Sequence, residues 1–107
     1  MPFQRLDAYR IAKELVRRVH EAKITDTELR DQATRAAKRT FLSLCEGLPN
    51  EGQALRRKYF VEGNASLHET LGAVDLAATI GAVREADALD VQRLGVRLKQ
   101  MFRGLLH

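Results

Sequence analysis

Apolar residues recur along most of the chain at the spacing of one helix face, and strict alternation of apolar and polar residues is nearly absent. Four segments show the pattern, at about residues 6–22, 27–46, 54–80 and 88–106. Charged side chains occupy most of the remaining positions, so each segment is predicted to be an amphipathic helix. The predicted inward-facing residues are Ala8, Tyr9, Ala12, Leu15, Val16 and Val19; Leu29, Ala33, Ala36, Ala37, Thr40 and Leu44; Phe60, Gly63, Leu67, Leu71, Val74, Ala77 and Ala78; and Val91, Leu94, Leu98, Met101, Phe102 and Leu105.

The residues between the segments predict where the helices begin and end. Thr25 is expected to cap the second helix through its hydroxyl while Glu28 reaches back, as in a capping box. Gly47 is expected to end that helix in the left-handed conformation, and Pro49 prevents its continuation. Gly81 is predicted to end the third helix. These signals place the three corners at residues 23–26, 47–53 and 81–87.

Four helices joined by short connections predict an all-α fold, an antiparallel up-and-down four-helix bundle. A chain of 107 residues is long enough for one core, so residues 1–107 are predicted to form a single domain. Gly63 and Gly72 lie inside the third segment, where each costs about 1 kcal/mol relative to alanine. Each is therefore expected to permit a close contact or a slight bend.

Composition narrows the class of protein. Hydrophobic residues make up 45% of the chain and charged residues 30%, which is typical of a soluble globular protein. The first residues carry charge where a signal peptide needs an apolar run, and no stretch approaches the ~20 apolar residues of a membrane span. The expectation is a cytoplasmic protein. The lone Cys45 and three scattered histidines predict no disulfide, no metal site and no cofactor.

The sequence also predicts that the protein is not an enzyme. Di-iron bundles need Glu-x-x-His pairs, but Arg17, Ala65 and Gly104 stand three residues before the histidines. Cys45 and His68 could form a nucleophile and base, yet nothing local orients them, and a buried structural cysteine is commoner. The glycines of residues 46–52 lack the lysine and the strand-to-helix context of a phosphate-binding loop.

Charge is distributed unevenly along the chain. The formal net charge is +4, and the fourth segment has no acidic residue after Asp90. A basic face can hold nucleic acid through its phosphates, but +4 is also an ordinary value for solubility. The aromatic residues mostly lie on the apolar stripes, which favours the core over base stacking. The candidate nucleic-acid-binding residues are Arg93, Arg97, Lys99 and Arg103, with Arg17, Arg18, Arg56, Arg57 and Lys58 as further candidates.

Two stretches suggest a family: QATRAAKRTFLSLCEG at residues 32–47 and YFVEGNASLHETL at residues 59–71. They resemble the bacterial four-helix-bundle proteins first noticed as reading frames within intervening sequences of 23S ribosomal RNA genes, a family that includes the accessory protein of diversity-generating retroelements. Ser43 stands where that family usually has asparagine, Arg39 where it has serine, and Glu62 where it has an apolar residue. The matching positions are Gln32, Arg35, Ala36, Ala37, Glu46, Gly47, Tyr59, Phe60, Ser66, Leu67 and Glu69.

The resemblance implies a non-catalytic homopentamer with a basic surface that engages nucleic acid and, in the retroelement relative, a reverse transcriptase. A ring would bring five chains of +4 together and strengthen the attraction for RNA or DNA. Phe41 and Leu42 lie off the inner stripe of the second helix and need a place to be buried, which favours assembly. The alternative is a structural or protein-interaction scaffold whose basic face serves only to keep the protein soluble.

Four polar residues are predicted to meet across the bundle. Arg35 and Glu46 are about three helical turns apart on one side of the second helix, and Ser66 and Glu69 are one turn apart on the third. They could form a network that fixes helix register or a pocket for phosphate or a partner. The structural interpretation is favoured because the two carboxylates would repel phosphate.

Overall fold

Four helices follow one another along the chain in the computed structural model, which describes residues 3–49 and 52–106, with side chains from residue 5 onward. They are α1 (Phe3–Glu21), α2 (Thr27–Gly47), α3 (Gln53–Thr79) and α4 (Glu85–Leu106). Each helix packs against its neighbours, α4 closes onto α1, and the bundle measures 43 × 22 × 18 Å. No strand occurs in the described part of the chain. The all-α prediction is confirmed, and the packing is that of a four-helix bundle.

The core matches the predicted apolar stripes closely. All six residues assigned to the inner stripe of α2 are buried. Within the core, the rings of Phe60 and Phe102 meet nearly edge to face, with their centroids 6.4 Å apart. The pattern missed Thr70, which is fully buried and donates its hydroxyl hydrogen to the carbonyl of Ser66 at 2.8 Å. A hydroxyl satisfied within its own helix can be buried without an unpaired polar group.

The cap of α2 differs from the prediction. The carboxylate of Asp26, not the hydroxyl of Thr25, accepts a hydrogen bond from the backbone N–H of Leu29 at 2.9 Å. Thr25 instead donates its hydroxyl hydrogen and its backbone N–H to the carbonyl of Ala82, at 3.1 and 2.8 Å. The prediction for Thr25 was wrong because its hydroxyl bonds to a residue 57 positions away, whereas the capping motif considers only neighbours in sequence.

Gly47 does not take the left-handed conformation that was predicted for it. Of the described glycines, only Gly81 has a positive φ, 75°, and it follows the end of α3 as expected. Gly47 is buried against the ring of Phe60, where an added Cβ would lie 2.6 Å from Cε1. The backbone N–H of Leu48 still bonds to the carbonyl of Leu44, so the helical pattern continues past Gly47. Gly47 therefore serves packing rather than chain reversal.

The two glycines inside α3 have different surroundings. A Cβ on Gly63 would lie 2.8 Å from Cζ of Phe102, so the expected close contact is confirmed there. A Cβ on Gly72 would meet nothing within 4 Å, and the close contact predicted for that position is absent. Only the first glycine is therefore required by the packing.

Candidate nucleic-acid interface

The antiparallel arrangement gathers four helix ends at one end of the bundle. A guanidinium N–H of Arg5 donates to the carbonyl of Leu48 at 3.1 Å, and one of Arg57 donates to the carbonyl of Leu106 at 3.2 Å. These bonds join the start of α1 to the end of α2, and the start of α3 to the end of α4. We call the described residues 3–12, 41–49, 52–63 and 95–106 the basic end, and residues 13–40 and 64–94 the balanced region. On α4 the basic end extends further along the bundle than on α3, because Gly95 lies against Leu71.

The excess positive charge lies at the basic end. Its described residues include eight lysines and arginines but three carboxylates, Asp7, Glu46 and Glu62. The balanced region carries ten lysines and arginines and ten carboxylates, so its charges cancel. A local excess of cations attracts polyanions more strongly than the same charge spread over the whole surface. The cations of the basic end are Arg5, Arg10, Arg56, Arg57, Lys58, Arg97, Lys99 and Arg103.

Ion pairs follow the same division. Every ion pair found among the described residues lies in the balanced region, and no cation of the basic end belongs to one. Arg18, for example, contacts the carboxylates of Glu14 at 3.1 Å and Asp90 at 3.4 Å. The hydrogen bond that Arg18 donates to Glu14, followed by the charge of Asp90, raises the pKa of Arg18. The cations of the basic end thus keep their charge available for an external anion.

Six of the nine predicted binding residues come together at this end. Arg97, Lys99 and Arg103 are exposed on the last three turns of α4, and the adjacent start of α3 carries the other three, Arg56, Arg57 and Lys58. The ammonium group of Lys58 lies 5.9 Å from the ring centroid of Tyr59. Arg56 is half-buried, and the others are exposed.

The structure does not bring the other three predicted residues into this group. Arg93 lies in the first half of α4, with its Nη1 atom 3.9 Å from the Asp90 carboxylate. Arg17 and Arg18 lie in the second half of α1 and pair with Glu14. Their cationic runs look alike in sequence, but folding places them beside carboxylates.

Two further cations, Arg5 and Arg10, belong to the basic end and were missed. The interpretation followed basic runs along the sequence, whereas these residues stand alone on α1. An antiparallel bundle places the start of its first helix beside the end of its last, and this relation could have identified them.

The predicted network of four polar residues does not form among the described residues. The Glu69 carboxylate pairs with Nη2 of Arg39 at 2.8 Å. Nε of Arg35 donates instead to the carbonyl of Asp31 at 3.3 Å, within its own helix. Glu46 is exposed, and the backbone carbonyl of Ser66 accepts the Thr70 hydroxyl. Arg39, one turn beyond Arg35, is therefore the arginine of α2 that pairs with Glu69.

The structure does not pair the candidate nucleophile with the candidate base. Cys45 is half-buried, and burial, followed by the charge of Glu46, raises the pKa of its thiol. A raised pKa keeps the thiol protonated, whereas a nucleophile must be deprotonated. His68 is exposed and makes no hydrogen bond to it. Within the described ranges, no group of three or more histidine, cysteine or acidic side chains could hold a metal ion.

The fold and the surface define a small helical bundle with cations concentrated at one end. None of its described helices combines the length and the apolar character needed to cross a membrane. Comparison of the chain with protein-family models gives no match, and comparison with curated proteins gives none.

Proposed function

We propose that this protein is a non-catalytic, homo-oligomeric nucleic-acid-binding protein that contacts phosphates through its basic end. The observation that carries the proposal is the concentration of eight cations outside any ion pair among the described residues. Lysine and arginine bind phosphates and release condensed counterions, which yields affinity without base recognition. The family resemblance supports an accessory role, and a reverse transcriptase is the partner it suggests.

Salt dependence tests the binding directly. We expect the intact protein to bind a duplex probe with an affinity that falls steeply as salt rises, with a slope of roughly 0.9 per neutralised phosphate. The double variant Arg97→Ala, Arg103→Ala should lower that slope by about two and weaken all sequences alike. Fluorescence anisotropy over a salt series measures both quantities.

A matched control separates local charge from net charge. The double variant Arg30→Ala, Arg84→Ala also removes two cations, but both pair with carboxylates in the balanced region. It should bind nearly as well as the parent. Equal losses in the two double variants would assign the binding to net charge alone, and no salt-sensitive binding by the intact protein would favour a scaffold function.

The oligomeric part of the proposal is supported by exposed apolar side chains. Gln92 of α4 donates to the carbonyl of Leu71 at 3.1 Å, so α3 and α4 lie side by side. Most of the exposed large apolar residues lie on these helices or between them, and water contact at such residues favours burial against another copy. Phe41 gives less support than predicted because it packs on Tyr9. The described large apolar residues that are 44–56% exposed are Leu42, Leu55, Val61, Leu76, Ile80, Leu89 and Val96.

We expect sedimentation equilibrium at micromolar concentration to give a mass about five times the 12.1 kDa of one chain. The double variant Leu76→Glu, Val96→Glu should dissociate because it places charge at exposed apolar positions of both α3 and α4. Gln32→Glu, on the exposed surface of α2, should leave the mass unchanged. A parent protein that is entirely monomeric would remove assembly from the proposal.

A further inference from the structure

The shape of the basic end indicates which form of nucleic acid it fits. We infer that it binds double-stranded DNA by contacting phosphates on both sides of the last three turns of α4, an inference that rests on the proposed function. Two surface hollows there share Leu105. The first is lined by Arg97, Gln100, Met101 and Gly104, and the second by Gln53, Arg56, Arg57 and Leu106.

Charge distinguishes these two hollows from others on the surface. Neither is lined by a carboxylate, and each contains at least one arginine. Three other hollows, all in the balanced region, are each lined by two carboxylates and two cations, so their charges cancel. A phosphate is therefore attracted to the pair beside Leu105 and meets acidic groups in the others.

The last turns of α4 fit a duplex groove. The first hollow lies on the flank of α4 that carries Arg97, the second is lined by residues of α4 and the start of α3, and Leu105 lines both. An α-helix with its side chains is about 10–12 Å across. The major groove of B-form DNA is about 12 Å wide and admits a helix, so the arginines of the two hollows can approach the phosphates beside it. The major groove of A-form RNA is deep and narrow, which disfavours duplex RNA.

The described aromatic side chains give little support for binding of single-stranded nucleic acid. Phe60 and Phe102 are buried in the core, and the half-buried rings of Tyr9 and Phe41 pack on each other. Tyr59 is half-buried and lies beside Lys58. Proteins that hold single strands usually offer exposed aromatic rings on which successive bases stack. The basic end offers charge without such a platform.

The experiment compares three labelled probes of one sequence and length: duplex DNA, duplex RNA and single-stranded DNA. We expect the full chain to bind duplex DNA about tenfold more tightly than either of the others at the same salt concentration. Tyr59→Leu should leave single-strand affinity unchanged because its ring does not stack. Equal or tighter binding of duplex RNA or single-stranded DNA would overturn this inference and leave the proposed function standing, whereas no binding of any probe would overturn both.

A pair of substitutions tests the two-sided contact. Arg56→Ala and Arg97→Ala each remove a cation from one hollow, and each should lower the salt slope on duplex DNA by about one, with the double variant lowering it by about two. Circular dichroism confirms that the variants remain helical. If either single variant retains the parental slope, only one hollow contacts phosphate and the two-sided contact is wrong.

Discussion

Replacing Phe102 by alanine is expected to destabilise the protein by about 3–5 kcal/mol, because a fully buried aromatic ring is removed from the core. The ring contacts Phe60 and covers Gly63, so its loss opens a cavity between α3 and α4. The loss is a large share of the roughly 5–15 kcal/mol that stabilises a typical domain. Urea unfolding followed by far-ultraviolet circular dichroism, at one fixed protein concentration, measures it.

Arg103, the residue after Phe102, provides the control for this loss of stability. Arg103 is exposed and outside any ion pair among the described residues, so Arg103→Ala should change the free energy of unfolding by no more than about 0.5 kcal/mol. A loss below 1 kcal/mol for Phe102→Ala would contradict the buried position of the ring.

The second large effect is expected at Gly63. Replacing a glycine inside a helix by alanine usually stabilises a protein, but Gly63→Ala should destabilise this one. The added Cβ would lie 2.8 Å from Cζ of Phe102, and the buried ring cannot move aside easily. Overpacking of this kind costs about 1–3 kcal/mol. At Gly72, where a Cβ meets nothing, alanine should instead stabilise by about 0.4–1 kcal/mol. The midpoint temperature of thermal unfolding should therefore fall for Gly63→Ala and rise for Gly72→Ala, relative to the parent.

A double-mutant cycle tests the stated cause. In a Phe102→Leu background the ring is gone, so Gly63→Ala should destabilise less than it does in the parent. An unchanged penalty would show that the ring is not what opposes the added methyl group. A stabilising effect of Gly63→Ala in the parent would contradict the close packing itself.

Helix positions and core residues were predictable because they depend on local spacing. All six residues predicted for the inner stripe of α2 are buried, since one face of an amphipathic helix is determined by residues three and four positions apart. The start of α4 was placed three residues late, at 88 instead of Glu85. Acidic residues occupy that first turn, where they favour the helix N-terminus without entering the apolar pattern.

Side-chain partners were less predictable because they depend on contacts distant in sequence. Arg35 and Arg39 stand one turn apart, and only the lateral position of α3 decides which of them meets Glu69. The candidate interface differs, because there a local pair was overlooked. Arg93 pairs with Asp90 three residues before it, whereas no carboxylate among the described residues pairs with Arg97.

The separation of charge along the 43 Å axis has a kinetic consequence. A molecule that is cationic at one end and neutral elsewhere rotates in the field of a polyanion, so productive encounters begin with that end leading. Steering of this kind raises the association rate and weakens as salt screens the field. If the basic end contacts the nucleic acid, the long axis of the bundle points away from it. The corners that join α1 to α2 and α3 to α4 then lie at the opposite end, where a second macromolecule can reach them.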